Sequence, residues 1–138
     1  MRTLLIACGN SLRRDDGVAH EVLQLLPAAP ERELLTVQQL TPELAEEICR
    51  FERVVFLDAD AAPMRPAIEP LGAWAQRSPL SHVATPAEII ALARALFGFT
   101  GEALLCRIPV RDFRFGDNLS ADALKSARRA ADELGKLI

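Results

Sequence analysis

Arg53-Val54-Val55-Phe56-Leu57-Asp58 is the stretch of sequence that decides the fold. Its apolar run is continuous and ends in a carboxylate. A continuous apolar run of this length is typical of a strand in a parallel sheet that helices cover on both faces. A second run, Thr3-Leu4-Leu5-Ile6-Ala7, lies near the start of the chain. The two runs predict adjacent buried strands.

Helical patterns alternate with strand patterns along the rest of the 138 residues. Apolar residues recur at helical spacing after Gly17 and again after Thr85-Pro86-Ala87-Glu88, which has the residues of a capping box. The predicted strands cover residues 2–7, 33–38, 53–58, 68–74 and 102–108, and the predicted helices follow Gly17, Thr41, Thr85 and Ser120. Strands that alternate with helices predict an α/β fold with a mostly parallel sheet. The length suits one domain, residues 1–138.

Composition excludes several classes of protein. The formal net charge is -3 and the basic residues are scattered, so we expect no nucleic-acid partner. Cys8, Cys49 and Cys106 are far apart and form no C-x-x-C pair, so the sequence supports neither disulfides nor a zinc site. We expect Cys8 and Cys106, which lie beside or within predicted buried strands, to be small buried side chains. No signal peptide and no membrane-length apolar run is visible, and we therefore expect a cytoplasmic protein that does not enter a membrane.

Acidic residues follow two of the predicted strands. Asp15 and Asp16 lie in the loop after the first strand, Asp58 closes the strand at 53–58, and Asp60 comes two residues later. Parallel strands end at the same edge of a sheet, so we expect Asp16 and Asp58 to lie close together. Carboxylates at that separation bind a proton or share a cation. The alternative is that each carboxylate only caps a helix or a turn.

His82 is the third candidate, because it lies in a proline-bounded loop before a capped helix and that loop returns to the same edge of the sheet. His20, the other histidine, falls in the first helix, where we expect a solvated or packed side chain. Two carboxylates and an imidazole suit a divalent transition metal with open positions. Spacing alone leaves metal binding, acid–base chemistry and capping all possible.

Five segments carry a resemblance to a known family. They are Gly9-Asn10-x-Leu12-x-x-Asp15-Asp16-Gly17, Gln39-Leu40-Thr41-Pro42-Glu43-Leu44, Val54-Val55-Phe56-Leu57-Asp58-Ala59, Ser81-His82 and Gly116-x-Asn118-Leu119-Ser120. In this order they resemble the nickel–iron hydrogenase maturation proteases. The sequence departs from that family at residues 38–39, where Gln38-Gln39 replaces the Asp-Gly-Gly segment of many members.

The resemblance implies a fold, a reaction and a set of site residues. The implied fold is a three-layer α/β/α sandwich with a twisted, mostly parallel sheet. The implied activity is a metal-dependent endopeptidase that removes the C-terminal extension of a hydrogenase large-subunit precursor after nickel insertion. Carried over by position, Asp16, Asp58 and His82 would bind the nickel of the substrate, and other divalent ions can occupy such a site in vitro. The implied partner is the precursor, and we expect a monomer or a weak homo-oligomer.

Two other functions remain open from the sequence. A strand followed by Gly-Asn also opens the peptidyl-tRNA hydrolases, although the acidic balance disfavours them. A docking or chaperone module would bind the precursor without cutting it. Serine or thiol protease chemistry is disfavoured, because the chain has no Gly-x-Ser-x-Gly and no plausible Cys–His arrangement. Whether Asp15 or Asp16 binds the ion, and which carboxylate acts as general base, is also left open.

Overall fold

The computed structural model describes residues 1–9, 17–61, 63–71, 84–111 and 118–138. Strands and helices alternate, as the sequence predicts. In chain order they are β1 (Thr3–Cys8), α1 (Val18–Leu25), β2 (Arg32–Val37), α2 (Leu44–Ile48), β3 (Arg53–Asp60), β4 (Ala67–Pro70), α3 (Pro86–Phe97), β5 (Glu102–Pro109) and α4 (Ala121–Leu137).

One sheet joins the five described strands in the order β2-β1-β3-β5-β4. β1 pairs in parallel with both β2 and β3, and β3 pairs in parallel with β5. β4 is antiparallel to β5 at the edge. The predicted α/β fold with a mostly parallel sheet is therefore confirmed.

Helices cover both faces of the sheet and form two separate cores. The first core packs α1 and α4 against strand residues such as Leu5, Val55 and Cys106. The second packs α2 and α3 against strand residues such as Ile6 and Phe56. Consecutive strand residues point to opposite faces, so a strand with both faces covered is apolar at every position. This is why β1 and β3 carry continuous apolar runs.

Side chains that cap two helices act as the sequence predicts. The Thr85 hydroxyl accepts a hydrogen bond from the backbone N–H of Glu88 at 3.2 Å and begins α3. The Ser120 hydroxyl accepts one from the N–H of Ala123 at 3.1 Å and begins α4. Each bond satisfies an N–H that the first turn of a helix would leave unpaired. None of the described helices is long and apolar enough to cross a membrane.

The bounds of β1, β2 and β5 differ from the predicted ones by a single residue, and the structure differs by more than that at three boundaries. β3 continues past Asp58 to Asp60, because β5 pairs with it as far as Pro109. α2 begins at Leu44 rather than directly after Thr41, since residues 42–43 form a turn. The edge strand β4 covers Ala67–Pro70, whereas 68–74 was predicted, and residues 72–74 lie outside the described part of the chain.

Candidate active site at the switch point of the sheet

A cavity of about 370 Å³ lies where the sheet changes its direction of winding. The chain leaves β1 for β2 on one side and later enters β3 on the other side of β1. In open α/β sheets this switch point leaves a crevice beyond the carboxyl ends of the strands, where ligands bind. The lining residues are Cys8, Gln38, Gln39, Leu40, Phe56, Leu57, Asp58, Ala84, Thr85 and Pro86.

Asp58 is exposed and lies in this cavity, at the point where β1 stops pairing with β3. Its register partner on β1 is Cys8, the last residue of that strand. Its register partner on β5 is Arg107. Paired residues of adjacent parallel strands project from the same face of the sheet. Asp58 thus stands in a row between a thiol and a guanidinium, on the face that α2 and α3 cover.

Arg107 neutralises two carboxylates on this side of the sheet. Its Nη1 lies 3.4 Å from Oδ2 of Asp60, and its Nε lies 2.9 Å from Oε1 of Glu69. The contact between Nε and Glu69 is an ion pair whose geometry is not that of a hydrogen bond, so the buried Nε has no hydrogen-bond partner among the described residues. Because all three side chains are partly exposed, water screens these ion pairs. They tie β3 and the edge strand β4 to β5 beside Asp58.

Cys8 is a cavity residue that the sequence prediction missed. We expected a small buried side chain, but Cys8 is only half-buried and lines the cavity. Its Sγ lies 3.9 Å from the backbone oxygen of Gln38, which follows β2. Cys106 behaves as expected: it is fully buried, and loss of hydration raises the pKa of its thiol to about 12. Of these two thiols, only that of Cys8, at the end of β1, is therefore exposed to the cavity.

The N-terminal end of α3 forms the opposite wall. Thr85, the N-cap, and Pro86, the first helical residue, both line the cavity, as does Ala84 before them. The first N–H groups of a helix carry partial positive charge that favours negative groups nearby. A second groove of about 390 Å³ runs along α3 from Ala84 to Ala95 and is mostly apolar. Because Ala84 lines both, the groove continues from the cavity.

His20 makes a contact that the sequence prediction did not anticipate. Its Nε2 lies 3.1 Å from the carbonyl oxygen of Gly9, the residue directly after β1. A carbonyl oxygen only accepts hydrogen bonds, so Nε2 must carry the hydrogen. The ring is half-buried and is bound to backbone at the sheet edge, rather than solvated. No local motif links the two residues, because one is on a helix and the other directly follows a strand.

The structure locates one of the three predicted site residues. Asp58 lies in the cavity, whereas Asp16 and His82, together with Asp15, fall outside the described residues. Within the described ranges, no three His, Cys, Asp or Glu side chains are grouped so that they could hold a metal ion. The described part of the site therefore supplies one carboxylate and one thiol as donors, beside neutral amide and apolar walls.

The fold and this cavity define a doubly wound α/β protein with a ligand crevice at its switch point. Several solved structures that share this fold are hydrogenase maturation proteases. The NiFe hydrogenase maturation protease HycI from Thermococcus kodakarensis KOD1 gives a TM-score of 0.76 at 19% identity, over 99% of this chain and 91% of that chain. HybD from Thermococcus kodakarensis gives 0.72 at 23% identity, over 99% of both chains.

A bacterial structure agrees with these two. The hydrogenase maturating endopeptidase HybD from E. coli gives a TM-score of 0.71 at 15% identity, over 97% of this chain and 90% of that chain. Neither the protein-family models nor the curated proteins give a match to the sequence. The likeness therefore establishes a shared fold over nearly the whole chain, which is the fold that the sequence motifs implied.

Proposed function

We propose that this protein is an endopeptidase that removes the C-terminal extension from the large-subunit precursor of a nickel–iron hydrogenase. The observation that carries the proposal is the position of Asp58, which lies in a cavity at the switch point of a fold shared with hydrogenase maturation proteases. The motif residues around Asp58 and His82 support the same activity. The cytoplasmic location and the oligomeric state stay predictions.

The donors proposed for the substrate's nickel are Asp16, Asp58 and His82. Carboxylate oxygen and imidazole nitrogen are suitable ligands for a divalent transition metal. Asp58 lines the described cavity. Ala84 lines the cavity and follows His82 by two residues, which span at most about 7 Å. Asp16 directly precedes Gly17, the N-cap of α1. His20 of α1 donates a hydrogen bond to the carbonyl oxygen of Gly9, the residue directly after β1. Both connections support a shared site.

Hydrolysis needs a polarised carbonyl, an attacking water and a group that accepts a proton. When bound, nickel would polarise the scissile carbonyl or the water. The exposed Asp58 carboxylate can bind the nickel of the substrate or accept the proton of the attacking water. The N-terminal turn of α3 favours negative charge that develops beside that turn. The water oxygen adds to the carbonyl carbon, the C–N bond breaks, and the proton passes to the new amino group.

The test is to incubate the purified protein with nickel-loaded precursor and to follow the loss of the C-terminal peptide by mass spectrometry. We expect wild-type protein to process the precursor, and Asp58→Asn and His82→Ala to slow processing by at least about 100-fold. Asp60→Asn is the matched control, because it removes the same charge from the same strand outside the cavity lining. Comparing Asp15→Asn with Asp16→Asn assigns the acidic ligand of the first loop.

Two outcomes would contradict the proposal. Full processing by Asp58→Asn or His82→Ala would reject their roles in the site. Binding of the precursor with no mass loss, under conditions where nickel is loaded, would favour the docking or chaperone function instead. Tight, salt-sensitive binding of tRNA would favour the peptidyl-tRNA hydrolase alternative.

A further inference from the structure

The contact between His20 and Gly9 connects the two ends of the segment that carries the proposed acidic ligands. Gly9 directly follows β1, and His20 lies in the first turn of α1, three residues after Gly17. Residues 10–16, with Asp15 and Asp16, connect Gly9 to Gly17 in the sequence. The hydrogen bond from Nε2 of His20 to the Gly9 oxygen, at 3.1 Å, thus joins the strand before the segment to the helix after it.

Both polar backbone atoms of Gly9 are engaged by different parts of the fold. Its N–H donates to the carbonyl oxygen of Val37, the last residue of β2, at 3.2 Å. Its carbonyl oxygen accepts the bond from His20. A sheet residue therefore holds one side of Gly9 and a helix side chain holds the other, so the backbone of Gly9 is fixed at the carboxyl end of β1.

The helix that carries His20 is itself firmly held. Its neighbours Val18, Ala19 and Val22 are fully buried in the core between α1, α4 and the sheet. The imidazole therefore donates from a rigid support, which is the arrangement that orients a functional group accurately. On the strand side, Gly9 comes one residue after Cys8, the register partner of Asp58. The bond thus fixes the chain one residue after Cys8, the β1 position that pairs with Asp58.

We propose that His20 is a positioning residue: through its hydrogen bond to the Gly9 carbonyl it holds the carboxyl end of β1, with Cys8, in place beside Asp58. This inference rests on the proposed function for its catalytic consequence. Hydrogen bonds made directly to metal ligands change metal affinity or activity by about 10- to 100-fold when they are removed. The bond to Gly9 acts on backbone next to the site, so we expect an effect near the lower end of that range.

The test compares His20→Leu with His20→Gln. Gln can place a terminal N–H near the position of Nε2, whereas Leu cannot donate. Gln24→Leu is the control, because it makes the same polar-to-apolar change at an exposed position of the same helix. In a folded His20→Leu protein we expect kcat for the nickel-loaded precursor to fall by about 10-fold or more with little change in KM. We expect His20→Gln to recover most of kcat and Gln24→Leu to match wild type.

A second measurement does not depend on activity. Exchange of the Gly9 amide hydrogen, which is bonded to the Val37 carbonyl oxygen, should be faster in His20→Leu than in wild type, His20→Gln and Gln24→Leu. If wild type does not cut the precursor but amide exchange is still faster in His20→Leu than in the other three proteins, the protease proposal fails and the positioning role stands. If wild type cuts and folded His20→Leu matches it in kcat and exchange, the inference is overturned. Equal losses in His20→Leu and His20→Gln would also overturn it.

Discussion

Gly101 offers a sharp test of how β3 and β5 are joined at the edge of the sheet opposite the cavity. A Cβ built on Gly101 would lie 2.3 Å from the carbonyl oxygen of Glu52 and 2.8 Å from Cε1 of Phe99. The Glu52 oxygen already accepts a hydrogen bond from the N–H of Glu102 at 2.9 Å. Relief of the clash must move this backbone by roughly 1 Å, since ordinary contact begins near 3.4 Å.

The expected cost of Gly101→Ala combines two effects. Overpacking a tight site costs about 2 kcal/mol, and loss of the Glu52–Glu102 hydrogen bond adds about 1 kcal/mol. We therefore expect the free energy of unfolding to fall by about 3 kcal/mol. Gly135→Ala is the matched control, because nothing lies within 4 Å of its added Cβ and the site is inside α4. There the substitution should stabilise the protein by up to about 1 kcal/mol through helix propensity.

Urea unfolding followed by circular dichroism measures both variants, and Gly101→Ala can be made in the Gly135→Ala background if it is too unstable alone. We expect the two single variants to differ by about 4 kcal/mol. Equal unfolding free energies for Gly101→Ala and wild type would show that the close approach of Gly101 to Glu52 does not hold in the folded protein.

Three further outcomes follow from the caps and thiols. Thr85→Ala should lower the free energy of unfolding, measured by urea titration, by about 1 kcal/mol, whereas Thr85→Ser should keep most of the stabilisation that the capping hydroxyl gives. Burial raises the pKa of the Cys106 thiol from 9.0 to about 12, so the thiol loses its proton at lower pH in the unfolded chain than in the folded protein. The free energy of unfolding should therefore fall as pH rises from 9 toward 12. Cys106→Ala should remove this contribution to the pH dependence, as alkaline unfolding curves can measure. Iodoacetamide followed by peptide mass analysis should label the native protein at Cys8 and reach Cys106 only after unfolding, and equal labelling of the two would contradict their assigned exposure.

The layers of the fold were predictable because burial determines composition. β1 and β3 are covered on both faces, and their continuous apolar runs record this directly. Local capping residues such as Thr85 and Ser120 marked the starts of α3 and α4 correctly. The extra length of β3 was not predictable, since its last two residues are strand only because β5 pairs with them.

The candidate site was predictable where it depends on strand ends and was missed where it depends on contacts across the fold. The location of Asp58 at the carboxyl edge of the sheet was predictable, because it follows an apolar run in a parallel strand; its role in a site stays a prediction. The bond between His20 and Gly9 has no pattern in the sequence, because helical spacing predicts faces and not side-chain partners. Cys8 was assigned to the core because it continues a buried strand, but β1 ends at this residue and leaves the thiol at the cavity.

The composition of the cavity wall bears on how a cation would be held. Asp58 is the one charged side chain among the described residues that line it, and Gln38 and Gln39 add neutral amides. A carboxylate beside largely apolar walls attracts a cation more strongly than one in bulk water, but a single carboxylate completes little of a coordination shell. On the proposed function, an ion already ligated by the precursor needs only a few further donors. Such a wall therefore favours an ion that arrives with the substrate, and Ni²⁺ added alone should bind more weakly than nickel-loaded precursor, as calorimetry of the two can measure.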